Sequence, residues 1–190
     1  TLLLSSSFSV HNLSSTIKKV IEVCVGLFIK HTKELNYEGV LDLTYPKIFT
    51  IASREDMMEL LGGAEEMGMQ MMVDEMDIKK VQSLHKTGND RYALVKYSTK
   101  MRIGVSGDLA SELAINALSE SFGNTYGSKN VSFDGEKAQF SVQGLKYMVL
   151  INEEAYDSKW FIMEWNTEDP ELVSMLLSPE VIKKAAKRIN

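Results

Sequence analysis

Cysteine is nearly absent from this sequence, and its scarcity excludes two classes of small protein. The 190 residues include one cysteine, Cys24, so neither an internal disulfide framework nor a zinc site built from several cysteines can form. Cys24 falls in phase with an apolar helical stripe, which favours a buried, inert thiol over a nucleophile.

Long apolar runs and an excess of positive charge are lacking as well. No apolar run approaches the ~20 residues that a membrane-spanning helix requires, so we expect no transmembrane segment. Asp and Glu number 26 against 21 Lys and Arg, a net charge of -5. Because phosphate binding depends on clustered Lys and Arg, this balance argues against nucleic acid as a partner.

Familiar chemical motifs are missing too. The three histidines, His11, His31 and His85, are dispersed, and none has a carboxylate at metal-ligand spacing. The sequence contains neither a Gly-x-Ser-x-Gly nucleophile turn nor a phosphate-binding P-loop. We therefore expect no cofactor and no metal site.

Negative charge is concentrated in residues 53–78, where Arg54 is the one base. The eight acids of that segment are Glu55, Asp56, Glu59, Glu65, Glu66, Asp74, Glu75 and Asp77. Such a run is typical of a solvated helix face followed by a strand edge, and cation binding is the alternative.

Length and composition suit one domain, with 44% hydrophobic and 25% charged residues. We assign residues 13–190 to that domain and residues 1–12 to an N-terminal tail or a signal-peptide remnant. The opening Thr1-Leu-Leu-Leu-Ser-Ser-Ser is similar to the end of a signal-peptide apolar region followed by small residues, which favours export over a cytoplasmic location. A frayed N-terminus is the alternative.

Helical periodicity dominates the first third of the chain. It predicts a helix at about 14–35, a short helix at 37–43, an extended piece at 47–51 and a third helix capped by Ser53. The expected inward stripe of the first helix is Leu13, Ile17, Val20, Ile21, Cys24, Leu27 and Phe28. That of the third helix is Met57, Leu60, Leu61 and Ala64.

From Gly68 the period changes to two, which indicates strands. In the clearest strand, 92–105, one face is apolar and the other is wet. The wet face presents Lys96, Ser98, Lys100 and Arg102. In the preceding strand, 70–85, the apolar side changes between Ile78 and Val81, which predicts a bulge near Lys79.

The rest of the chain adds a hairpin, two strands and two helices. Asp134-Gly135 predicts a hairpin between 131–133 and 138–140. Further strands are expected at 146–151 and 160–165. A helix at 108–122, closed by Gly123, is inserted between strands, and a final helix starts at Pro179.

Leading helices, long antiparallel strands and a Trp-containing last strand together resemble the NTF2-like (cystatin-like) superfamily. The segments that carry the resemblance are the first helix through Tyr37-x-x-x-Leu41-x-Leu43-Thr-Tyr45-Pro46, the helix capped by Ser53, and Lys159-Trp-Phe-Ile-Met-Glu-Trp165-Asn. In detail the chain is similar to uncharacterised, often exported NTF2-like proteins of Bacteroidetes-type bacteria. The resemblance implies an α+β fold in which N-terminal helices pack on a curved antiparallel sheet, a cone with a pocket at its open end. Here the inserted helix and the C-terminal helix are added to that cone.

Two polar residues on expected inward faces are the catalytic candidates. Tyr97 lies in the middle of the apolar face of the best strand, where its hydroxyl needs a partner or a cavity. Glu164 shares the strand parity of Trp160 and Ile162, which favours an inward position; exposure to solvent at the strand end is the alternative. The expected apolar lining of a pocket is Tyr97, Met72, Met76, Met101, Met148 and Trp160; core filling by the same residues is the alternative.

Three functions remain open at this stage. The leading hypothesis is a non-enzymatic domain that binds a small apolar ligand or a protein partner, because no convergent acid-base set is visible. The second is a cofactor-free isomerase or dehydratase that uses Tyr97 with a carboxylate such as Glu164. The third is a homodimer that associates through the exposed face of the sheet.

Overall fold

A computed structural model describes residues 13–165 and 169–189 of the chain. The described residues form six α-helices and an open five-stranded antiparallel sheet, so the predicted α+β class is confirmed. Residues 1–12, with the proposed signal-peptide remnant and His11, lie outside the described residues. Within the described ranges, no helix is both long enough and apolar enough to cross a membrane.

Helix α1 (Ser15–Lys33) forms where it was predicted, but the side of the helix that is buried differs slightly from the predicted one. Ser14 caps the helix, and its side chain accepts a hydrogen bond from the Ile17 amide at 3.3 Å. Val25 joins the buried stripe, whereas Val20 and Leu27 are exposed. The buried residues are Ile21, Cys24, Val25 and Phe28. The prediction that Val20 and Leu27 face inward was therefore wrong.

The next elements follow α1 closely. Helix α2 (Tyr37–Leu43) buries Leu41 as expected, whereas the piece predicted to be extended is a 3-10 helix, Pro46–Thr50. Helix α3 (Arg54–Glu66) begins at Ser53 in a reciprocal capping box with Asp56. No residue of α3 is fully buried, so the predicted inward position of Leu60 was wrong.

The sheet is dominated by three long strands. These are β1 (Met69–Thr87), β2 (Asp90–Val105) and β4 (Gln139–Asn152), and β4 pairs along its far side with the short strands β3 (Val131–Asp134) and β5 (Trp160–Glu164). The strand order is β1-β2-β4-β3, with β5 beside β4. The Asp134–Gln139 pair closes the predicted hairpin.

Strand β1 is irregular against β2. A register shift between Ile78 and Lys80 confirms the predicted bulge, and further shifts occur between Val73 and Glu75 and between Ser83 and His85. The shift after Val73 reverses which side chains face the helices, because one extra residue moves its neighbours to the other face. Val73 consequently contacts the core, whereas Met72, expected to point inward, is exposed.

Strand β4 joins two segments that were predicted to be separate strands. Gly144 lies between the two predicted segments, and the strand passes through it without interruption. A Cβ atom at Gly144 would come within 3.1 Å of the Tyr126 ring. The glycine therefore makes room for an aromatic side chain above the sheet.

Helices cover both faces of the sheet. On one face α1 packs over Ala93 and Val95, while α4 (Glu112–Tyr126) packs over Met101 and Ile103. On the other face α5 (Pro170–Leu176), which the sequence did not predict, and α6 (Pro179–Ile189) pack over Leu94. The solvent-facing side predicted for 96–102 belongs to the part of this face that α5 and α6 do not cover. Lys100 and Arg102 are exposed there, and Lys96 and Ser98 are half-buried.

Helix α4 starts and ends later than predicted. Its N-cap is Ser111, and a 3-10 turn (Gly107–Ala110) precedes it. Gly123 lies within the helix, and Gly127, at φ 86°, ends it. A residue with a side chain would be strained at that backbone angle, so the helix stops where glycine permits the turn.

Candidate functional site

Tyr97 and Glu164, the two polar candidates from the sequence, are in direct contact. The Tyr97 hydroxyl donates a hydrogen bond to Glu164 Oε1 at 2.5 Å. The two residues lie on β2 and β5, on either side of β4, and Tyr97 is opposite Lys146 of that strand. Tyr97 is 3% exposed, so its buried hydroxyl has the partner that burial demands.

The electrostatics of this pair keep its proton on the tyrosine. Burial is the main cause that raises the pKa of Tyr97, and the charge of Glu164 and its hydrogen bond add to the effect. Burial by the surrounding protein also raises the pKa of Glu164, against the opposing effects of the Tyr97 hydrogen bond and the Lys146 ammonium. Glu164 as a residue is nevertheless exposed, so water reaches it and moderates that shift. Tyr97 therefore donates a hydrogen bond to the carboxylate but gives up its proton less readily than an ordinary tyrosine.

The predicted apolar lining residues are distributed over the core. Met76, Met148 and Trp160 pack with α1, and Met101 packs with α4. Trp160 also borders an open depression near the start of α1, of about 390 Å³. The methionines therefore fill two separate parts of the core, and Met72 belongs to neither.

A second polar cluster was not predicted from the sequence. Glu153 accepts hydrogen bonds from the hydroxyls of Tyr45 and Tyr92, at 2.8 and 2.6 Å. Burial raises the pKa of both tyrosines, and the bonds to Glu153 raise it further. Both tyrosines belong to the core beneath α5 and α6, so the cluster ties a loop to the sheet.

Cys24, His31 and His85, which lie within the described residues, make contacts of a structural kind. Burial raises the pKa of the Cys24 thiol to about 11, which keeps it protonated. His85 Nδ1 lies 2.6 Å from Lys184 Nζ of α6, and His31 Nδ1 lies 3.1 Å from the Asn36 side-chain nitrogen. Over the described residues, no group of three or more His, Cys, Asp or Glu side chains is arranged to hold a metal ion.

A broad, open surface depression lies along α3. We call it the α3 depression; it measures about 600 Å³ and is lined by Asp56, Glu59, Leu60, Gly63, Glu66 and Met67. Leu60 is 71% exposed and Met67 is 66% exposed. Tyr97 and Glu164 are not among the residues that line this depression.

The sequence places these apolar side chains outside for a simple geometric reason. Leu60, Gly63 and Met67 are spaced by three and four residues and share one side of the helical path. Met57, Leu61 and Ala64 occupy the neighbouring side and are partly buried. The helix therefore has more apolar positions than its contact with the sheet uses, and this excess is the signal that could have identified the depression.

Charge on α3 is predominantly negative. The helix carries Glu55, Asp56, Glu59, Glu65 and Glu66 against Arg54. That arginine is already engaged, because its guanidinium lies 2.6 Å from the Asp42 carboxylate and 3.1 Å from the Glu38 carbonyl oxygen. The depression is thus an apolar strip beside a row of carboxylates that are not neutralised from within the helix.

Comparison of the chain with protein-family models, with curated proteins and with solved structures finds no match.

Proposed function

We propose that this protein is a non-enzymatic, NTF2-like binding domain that docks a protein partner on the α3 depression. Leading helices followed by a long antiparallel sheet support the NTF2-like relationship. The observation that carries the binding function is the exposure of Leu60 and Met67 on either side of Gly63, in one depression. Apolar side chains grouped on a surface in this way are typical of protein interaction sites.

A protein partner fits this surface better than a small apolar ligand. Ligand pockets usually enclose most of the surface of a small molecule. The α3 depression is open and is lined by one helix and the residue that follows it. A flat or convex partner surface can cover such a strip, whereas a small molecule would stay largely in water.

The proposal is tested by comparing how tightly the wild-type protein and a surface variant bind the same protein partner. Leu60→Ser with Met67→Ser removes the apolar strip, and Leu113→Ser, at an exposed position of α4, serves as the matched control. A partner retained by the wild-type protein, once purified, should bind the double variant at least tenfold more weakly and the control variant unchanged in calorimetric titration. Equal affinity for all three proteins would remove α3 as the docking site.

The second candidate function is a cofactor-free isomerase or dehydratase centred on Tyr97 and Glu164. One observation favours it: Glu164 is exposed while it holds the buried Tyr97 hydroxyl. A substrate that reached this carboxyl would meet a general base with a hydrogen-bond donor beside it. Activity lost in both Tyr97→Phe and Glu164→Gln, with unfolding curves unchanged, would support this function over the binding domain.

A further inference from the structure

Two adjacent glycines in α3 pack against nothing in the part of the chain that the structure describes. Gly62 and Gly63 lie inside the helix, where glycine is a poor helix former. A Cβ atom at either position would meet no atom within 4 Å. Gly39 and Gly144 differ, because a Cβ there would contact the rings of His31 and Tyr126. The fold itself therefore does not require glycine at 62 or 63.

Gly63 is the one of the two that belongs to the α3 depression. It sits between Leu60 and Met67 and leaves a notch in the apolar strip. From Leu60 to Met67 the strip is about 10 Å long, two turns of helix at about 1.5 Å per residue. A notch of this kind lets the backbone of another element approach closely.

The carboxylates beside the apolar strip favour a positively charged binding partner. Asp56, Glu59 and Glu66 line the same depression as the apolar residues. A second copy docking through its own α3 would bring carboxylates against carboxylates, and an anionic lipid surface would repel them. Lys or Arg on the partner, beside its own apolar residues, would match both features.

We infer that the α3 depression binds an amphipathic helix of another protein, whose apolar stripe is flanked by Lys and Arg and crosses α3 at Gly63. This inference rests on the proposed function and specifies its partner. The binding mode is a helix laid along an apolar surface with anchors three and four residues apart. Met67, with its flexible thioether side chain, adapts to the anchors that it meets.

Helix α1 presents a second exposed apolar surface, and the experiment must distinguish binding there from binding at α3. Val20, Val23 and Leu27 are exposed at spacings of three and four, and Gly26 beside them also has open space. That stripe contributes only Val20 to a depression. Val23→Ser is therefore the matched control for Leu60→Ser, because each removes an exposed apolar side chain from a helix.

The test uses three labelled 18-residue peptides and fluorescence anisotropy at 150 mM salt. One peptide has a Leu stripe flanked by Lys, the second replaces Lys by Glu, and the third replaces Leu by Ser. We expect saturable one-to-one binding of the Leu/Lys peptide and at least tenfold weaker binding of the other two. Leu60→Ser and Gly63→Gln should each weaken binding of the Leu/Lys peptide at least tenfold. Val23→Ser and Gly62→Gln should leave its affinity unchanged.

Each alternative outcome would contradict a particular part of the proposal. Failure of the Leu/Lys peptide to bind, or equal binding to every variant, would overturn the inference, the latter because attraction would be by net charge alone. Stronger binding of the Leu/Glu or Leu/Ser peptide with dependence on Leu60 would refute the basic partner but keep α3 as a docking site. Loss in Val23→Ser alone would move docking to α1 and refute both proposals. A dimer in light scattering that Leu60→Ser dissociates would make a second copy the occupant.

Discussion

Leu27 and Phe28 are neighbours on α1 with opposite surroundings, and they offer the clearest test at the residue scale. Phe28 is 8% exposed in the core beneath α1, whereas Leu27 is 45% exposed. Phe28→Ala should lower the free energy of unfolding by about 3–5 kcal/mol, because it removes buried surface and leaves a cavity. Leu27→Ala should cost less than about 1.5 kcal/mol, since much of that side chain is already in water. Chemical denaturation of both variants checks the pair, and similar losses would show that the helix phase is wrong.

His85 makes the stability of the protein depend on pH. Burial, followed by the Lys184 ammonium, lowers the pKa of His85 from its usual 6.5, and Glu180 opposes them. A neutral imidazole can accept a hydrogen bond from Lys184 through Nδ1, and Nε2 lies within 3.2 Å of Glu180. Because the folded state favours the neutral ring, its stabilisation is complete above pH 6.5 and is lost as pH falls through the lowered pKa.

The measurement is urea denaturation of the wild type and His85→Asn between pH 8 and pH 5. We expect the difference in unfolding free energy between the two proteins to shrink as the pH falls below 6.5. A difference that grows on acidification would mean that His85 is protonated in the folded state. The variant Lys184→Gln should reduce the pH dependence, because it removes a positive charge that opposes protonation of His85.

At the scale of elements, α4 is held to the sheet less firmly than the strands beneath it. None of its residues is fully buried, and Gly107 and Gly127, both at positive φ, flank it. Its inner side chains, such as Ile115 and Phe122, are only partly buried against the sheet. Amide hydrogen exchange in 112–126 should therefore be at least tenfold faster than in 92–103 of β2. Exchange as slow as that of the strand would make α4 a fixed part of the scaffold.

Element boundaries show where reasoning from sequence succeeds. Ser53 was identified as a cap, because a hydroxyl just before an apolar helical pattern is itself evidence for a helix start. The bulge near Lys79 was visible because the inward parity changes within one strand. These features depend on neighbours in sequence, and the sequence contains them.

The wrong predictions concern residues whose surroundings depend on contacts with parts of the chain that are distant in sequence. Met72 was placed inward because the second register shift is visible only in the pairing of Val73 and Glu75 against β2. The strands at 138–140 and 146–151 were predicted to be separate, because the sequence does not show that Tyr126 packs over the Gly144 that joins them. Tyr97 and Glu164 were each expected to point inward, yet their contact depends on β4 lying between their strands. Leu60 was assigned to the core because periodicity does not reveal how much of a helix the sheet covers.

At the scale of the whole molecule, the two tryptophans report on opposite faces of one sheet. Trp160 packs against the cluster beneath α1, and Trp165 packs against the cluster beneath α5 and α6. In Trp160→Phe and Trp165→Phe the remaining tryptophan reports on one face. Fluorescence and far-UV circular dichroism should give the same urea midpoint within each variant, because β2 and β4 contribute to both clusters. Separate midpoints would divide the chain into two folding units.

Strand β1 has a consequence for how the protein behaves in concentrated solution. It is 19 residues long and forms an edge of the sheet, where unpaired backbone groups invite aggregation by strand addition. Three register shifts interrupt that edge, and Glu75, Asp77, Lys79 and Lys80 are exposed along it. Bulges twist an edge away from a flat template, and charges must be desolvated before a second strand can pair. The irregularity that turns Met72 toward solvent thus protects the longest strand from amyloid-like growth.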